Sequence, residues 1–164
     1  MVQSEIILQK IEEDLFHQKN VSVMLARLDL LHPDYGGNKW FKLKYNLAAA
    51  KKNNFKQVLT FGGAFSNHIY STAAICADEG FASIGVIRGE ETLPLNTTLQ
   101  FALSKNMKLH YVSRVEFKNR SDIEFINKLK KIYGDFYLIP DGGSNALGIK
   151  GAMEILPILK TDFD

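Results

Sequence analysis

At 164 residues the chain is long enough for one domain or two small lobes. Its 46% hydrophobic and 23% charged residues suit a soluble globular protein, and a formal net charge of +2 is too small to suggest a nucleic-acid protein. The single cysteine, Cys76, excludes an internal disulfide and a zinc knuckle, no apolar run is long enough to span a bilayer, and MVQSEIILQKIEEDLF carries acids where a signal peptide would be apolar. A reducing, cytoplasmic location is expected, without nucleic-acid, membrane or metal partners.

Glu5 to His17 places Ile6, Ile7, Ile11, Leu15 and Phe16 on an irregular helical stripe. Val21 to Leu30 reads as one or two strands, and HPDYGG (32–37) as a turn-rich loop. Lys39 to Asn53 predicts a helix, with Asn38 as its N-cap and Leu43, Leu47 and Ala50 on one face. An alternation follows. Strands are expected at Gln57 to Phe61, Ala82 to Ile87, Lys108 to Val112 and Phe136 to Ile139. Helices are expected at Asn67 to Glu79 (closed by Gly80), Leu95 to Asn106, Ser121 to Tyr133 (capped by Ser121) and Ala146 to Lys160. The lysine runs Lys51-Lys52 and Lys128 to Lys131 read as solvated helix faces. Strands and helices alternating over short connections imply an α/β fold with an open parallel sheet and helices on both faces.

Ligands of open α/β sheets bind at the carboxyl ends of the strands. Three loops sit there: GGAFSNH (62–68), RGEET (88–92) and PDGGSN (140–145). The first and third carry the glycine, serine and asparagine of ligand loops, because glycine permits close approach and helix-start N–H groups attract anions. Ser66 and Asn67 either cap the following helix or leave its N–H groups to a carboxylate. His68 is either an acid or base or a structural residue. GGNKWFKLKY (36–45) raises a separate question, since Lys39, Lys42 and Lys44 are either solvated lysines or include one chemical amine. A lysine in a first helical turn meets the positive end of the dipole, which lowers its pKa and favours carbonyl chemistry. No G-x-G-x-x-G, Walker loop, G-x-S-x-G elbow or metal-spaced cluster is present.

Taken together, GGNKWFKLKYNL, TFGGAFSNHIYSTAA and IPDGGSNALGIKG resemble the pyridoxal-phosphate enzymes grouped as 1-aminocyclopropane-1-carboxylate deaminase and D-cysteine desulfhydrase, which share the tryptophan-synthase-β-like fold (fold type II). The resemblance runs from about Val21 to the C-terminus, with the motifs in the family's order. It implies pyridoxal 5'-phosphate as cofactor, Lys39 as the Schiff-base lysine and catalytic base, and Asn38 and Asn67 as cofactor contacts. Ser66 is implied as catalytic, and Ser66, Asn67 and His68 as substrate contacts, with the Ala64 to His68 backbone holding the substrate carboxylate. SNH looks more like the desulfhydrase branch.

The resemblance also implies a lyase that turns 1-aminocyclopropane-1-carboxylate or D-cysteine into a 2-oxo acid and ammonia. It divides the chain into a small α/β lobe (53–141) and part of a larger cofactor-binding lobe (1–52 and 142–164). The family's glycine-rich phosphate loop and its pyridine-nitrogen partner are expected beyond Asp164, so the sequence reads as the family's N-terminal half. Expected partners are a small amino acid and either a second copy of the chain or the missing half. A non-catalytic α/β binding module is the alternative. A flavodoxin-like regulatory domain explains the alternation but not GGNK or the two Gly–Ser–Asn loops.

Overall fold

The computed structural model describes residues 5–159. Strand β1 (Leu8–Ile11) and strand β2 (Val23–Ala26) form an antiparallel pair around a short helix α1 (Asp14–Gln18). This corrects the helix expected from Glu5 to His17. The apolar spacing there was irregular, and cross-strand pairing of Leu8 with Ala26 through Ile11 with Val23 decides the conformation instead. A 3-10 turn at Leu28–Leu31 and the His32 to Gly37 loop lead into helix α2 (Asn38–Lys52).

From there the alternation holds. Strand β3 (Gln57–Gly63), helix α3 (Asn67–Asp78), strand β4 (Ala82–Arg88), helix α4 (Thr97–Ser104), strand β5 (Lys108–Val112), helix α5 (Ile123–Tyr133) and strand β6 (Tyr137–Ile139) follow in turn. The sheet is parallel throughout, in the order β5-β4-β3-β6. The chain steps outward from β3 to β5, then returns to the far side of β3. Right-handed crossovers in opposite directions put α3 and α4 on one face and α5 on the other. Alternate residues of the central strands divide accordingly. Val58 packs with Leu43, Leu47 and Ala50 of α2, whereas Leu59 and Phe61 pack with Ile126 and Leu129 of α5. A third cluster joins Ile69 and Ala73 of α3 to Leu99 and Ala102 of α4. Cys76 is buried in the first cluster, and burial pushes its thiol up to about 12, so it behaves as a core residue.

Helix α4 is shorter than expected, starting at Thr97 after its N-cap Asn96 and ending at Ser104, and three further helix boundaries differ. The N-cap of α2 is Gly37, with Asn38 already inside the helix. Helix α5 begins at Ile123 rather than beside Ser121, because the turn that closes Asp122 N–H onto Asn119 O carries the chain past Ser121. The last helix breaks in two, α6 (Ala146–Ala152) and α7 (Ile155–Leu159). Pro157 cannot donate to a carbonyl four residues back, but it is tolerated in a first turn, so a second helix starts just before it. Among the described residues no helix is long and apolar enough to cross a membrane.

Candidate active site

The order β5-β4-β3-β6 places the topological switch point between β3 and β6, where loops leave in opposite directions and open a crevice. The two loops singled out above, 62–68 and 140–145, are the ones that follow those strands. Helix α2 crosses behind them, so the GGNK segment arrives at the same place. Between GGNK and the start of α3 lies a cavity of about 500 Å³, lined among others by Gly36, Gly37, Asn38, Lys39, Asn67 and Ser71.

The segment before Lys39 is tightly held. Gly37 has φ 82°, a conformation that favours glycine, and its N–H donates to Leu28 O at 2.6 Å. A Cβ on Gly36 would lie 2.3 Å from the backbone O of Asp29, so no side chain fits there. Tyr35 stacks on His32 with ring centroids 3.5 Å apart. Lys39 therefore begins α2 from a fixed position, and its Nζ donates to Asn38 Oδ1 at 3.3 Å. Burial lowers the Lys39 pKa, the Lys42 charge lowers it further, and Asp141 opposes both. Lys44 is different: it pairs with Glu154, which also accepts from Tyr45.

At the start of α3, Ser66 is the N-cap and its Oγ accepts from Ile69 N–H at 3.3 Å. The N–H groups of Asn67 and His68 have no acceptor within the helix and point out of its first turn. The Asn67 side chain is exposed into the Lys39 cavity. Replacing Ser66 by Ala removes the cap and is expected to cost about 1 kcal/mol, read by urea unfolding; an unchanged midpoint would show that the cap contributes nothing.

His68 faces the other way. It is 3% exposed, and its Nε2 lies 2.8 Å from Thr60 Oγ1. The Thr60 hydroxyl proton is already committed to Ile139 O at 2.9 Å, so Nε2 carries the hydrogen and donates to Thr60. Nδ1 is then the free acceptor, and it has no partner. Burial, with the nearby Lys39 and Lys42 charges, pushes the imidazole down to about 4, so it is neutral at pH 7.

The PDGGSN loop does not line the Lys39 cavity. It braces α2 instead: Asn145 Nδ2 donates to Asn46 Oδ1 at 2.8 Å, and Asn46 Nδ2 returns a bond to Asn145 Oδ1 at 3.3 Å. Asn46 is fully buried. Sequence reasoning missed Asn46, whose signal was a lone polar residue amid the apolar face of α2. It also missed Tyr70 and Ser71, which line the cavity three and four residues after Asn67 on the same side of α3.

No family model matches the chain. It is 30% identical over 131 residues to a Pyrococcus abyssi protein named "Putative 1-aminocyclopropane-1-carboxylate deaminase", covering 80% of this chain and 40% of that one. A Thermotoga maritima protein of the same name is 34% identical over 133 residues, covering 79% of this chain and 42% of that one. A crystal structure of an ACC deaminase homologue superposes over 99% of this chain and 50% of that one, with TM-score 0.82 and 25% identity. Over the part it matches, the chain is similar to proteins carrying this deaminase name. It spans about 40% of the length of the relatives it matches in sequence. The fold shared with that structure is the parallel sheet with its crossing helices, and the GGNK and GGAFSNH segments lie on it where α2 and α3 begin.

Proposed function

We propose that the chain is the Lys39-bearing part of a pyridoxal-phosphate-dependent lyase of the deaminase and desulfhydrase type, acting on a small amino acid such as 1-aminocyclopropane-1-carboxylate or D-cysteine. One observation carries this: Lys39, an amine of lowered basicity, opens into the same cavity as Asn67 at the switch point of the sheet. The residues fit the cofactor. They supply an amine for its aldehyde, two amides (Asn38 and Asn67) and the Ser71 hydroxyl around one cavity. When bound, pyridoxal phosphate supplies an electron-accepting ring next to the substrate's α-carbon.

The chain's own residues then divide the task. Lys39 Nζ would hold the cofactor, and its amine is placed to take a proton from the substrate and to return it. Its lowered pKa keeps more of the amine neutral at pH 7 than an ordinary lysine has. Asn38 Oδ1 orients that amine. The N–H groups of Asn67 and His68 bind the substrate carboxylate at the positive end of α3. The Ser66 hydroxyl accepts from Ile69 and so keeps its own proton for the substrate. The His68 ring positions this turn through Thr60 rather than exchanging protons.

We assign residues 53–141 to a small lobe, and 1–52 with 142–164 to a larger one that the rest of a family-length chain, or a partner, completes. Support comes from Ile149, Met153 and Leu156, which lie at helical spacing and are 62%, 68% and 70% exposed.

Borohydride reduction of the chain with pyridoxal phosphate is expected to fix the cofactor on Lys39, read by peptide mass, and Lys39→Ala is expected to abolish it. An adduct that survives Lys39→Ala, or one spread over Lys42 and Lys44, would sink the assignment.

A further inference from the structure

A second cavity, of about 420 Å³, lies on the other side of the same loop and is lined by Gly63, Ala64, Phe65, Ser66, Arg88 and Arg114. Arg88 ends β4, in register with Gly63 of β3 and Val112 of β5. Arg114 follows two residues later, so both guanidinium groups come to the carboxyl edge of the sheet. Arg88 is held over the Phe117 ring at 5.8 Å, with Arg120 over the same ring at 4.9 Å. Its Nη2 would lie 3.9 Å from a Cβ built on Gly63.

Neither Arg88 nor Arg114 makes an ion pair or hydrogen bond with any described residue. The acids at this edge are engaged elsewhere or turned out. The Glu116 carboxylate accepts from Ser113 N and Oγ, Asp141 lies 3.8 Å from Arg120, and Glu90 and Glu91 are exposed. Two unpaired guanidinium groups therefore share one cavity with the positive end of α3. Like charges so placed repel, and an oxyanion between them removes the repulsion and gains charge-assisted hydrogen bonds.

Ser66 lines this cavity and Asn67 lines that of Lys39. Consecutive Cα atoms are about 3.8 Å apart, so the two cavities adjoin at the start of α3. We propose that Arg88 and Arg114 form a second anion subsite, and that the substrate is a small amino acid carrying a second acidic group. The α-carboxylate lies at the start of α3 and the second acid between the arginines. This rests on the lyase reading above for the placement of the α-carboxylate, and replaces its example substrates, neither of which carries a second acid.

The test is calorimetric titration of the full chain with aspartate and O-phosphoserine, which separate a carboxylate from a phosphate, against alanine and serine, each as both enantiomers. The expected result is at least about tenfold tighter binding of one acidic pair, as one additional charged contact gives. The arginine Nε–Hε resonances of Arg88 and Arg114 shift with it. The R88M/R114M double variant is expected to lose the preference while melting at the same temperature, and R88K/R114K to retain part of it. Equal binding of aspartate, O-phosphoserine and alanine overturns the proposal, as does a preference that survives in R88M/R114M. Borohydride trapping on Lys39, run on both proteins, keeps the two readings apart. Trapping in both with the preference lost from the double variant supports the subsite. Absence of trapping in the unaltered chain overturns the cofactor assignment, and the acidic preference is still read directly from the titration.

Discussion

Gly151→Ala is expected to melt about 4–8 °C below the unaltered chain, the shift that about 2 kcal/mol produces at this size. Alanine is the better helix former by about 1 kcal/mol, so propensity alone would raise the melting temperature. Packing opposes it. A Cβ at Gly151 would lie 1.7 Å from the backbone O of Phe41, and the atom in the way is main chain of α2, which cannot rotate aside. Helix α6 has to back away, and overpacking of this kind costs about 1–3 kcal/mol or more. The retreat also strains the buried Asn46–Asn145 pair. Ile149→Ala, on the exposed side of the same helix, is the control and should change stability by no more than about 0.5 kcal/mol. A melting temperature for Gly151→Ala that is equal or higher would mean that α6 does not sit against α2 as described.

The second expected result is a loss of stability between pH 6.5 and about 4, carried by His68. The group titrates at 6.5 when exposed and at about 4 when folded. Below pH 6.5 the unfolded chain takes up a proton that the folded chain refuses, so stability falls as pH falls, until the folded histidine itself protonates near 4. The full difference amounts to about 3 kcal/mol. His68→Gln keeps a donor for Thr60 and removes the titration. Its denaturant midpoint should therefore decline less steeply over this window by one proton's worth. Identical slopes for both proteins would show that His68 is not held neutral by its burial.

Much of this was legible in the sequence where local chemistry and tertiary packing agree. Gly62-Gly63 end a strand, Gly142-Gly143 lie in the turn after one, and Ser66, Asn96 and Asn145 each accept from a backbone N–H three residues on, so these boundaries carry their own signals. The alternation from β3 to β6 was legible for the same reason, because each strand is an apolar run closed by a turn. The N-terminal segment was not. Ile6, Ile7 and Ile11 fit a helix as well as a strand, and only the distant Val23–Ala26 segment decides between them. Lys39 could be picked out by its place at the head of α2, but its depressed basicity depends on how deeply α2 sits and on Lys42. The inward turn of His68 depends on Thr60, eight residues away on another element. The arginine pair was invisible because Arg88 and Arg114 are joined only by the register of two neighbouring strands.

Every residue lining the Lys39 cavity falls between Asp29 and Ser71. The chain is thus divided, with its candidate chemistry written in one continuous stretch and its support written mostly after it. A substitution beyond Arg88 reaches Lys39 through the Asp141 charge or by shifting α2 or α3, and the Asn46–Asn145 pair is a direct bonded route for such a shift. Apart from Arg88, Arg114 and Asp141, the later half of the sequence is therefore free to vary in surface without rewriting the cavity, provided that the face of α6 against α2 keeps its glycines and its asparagine.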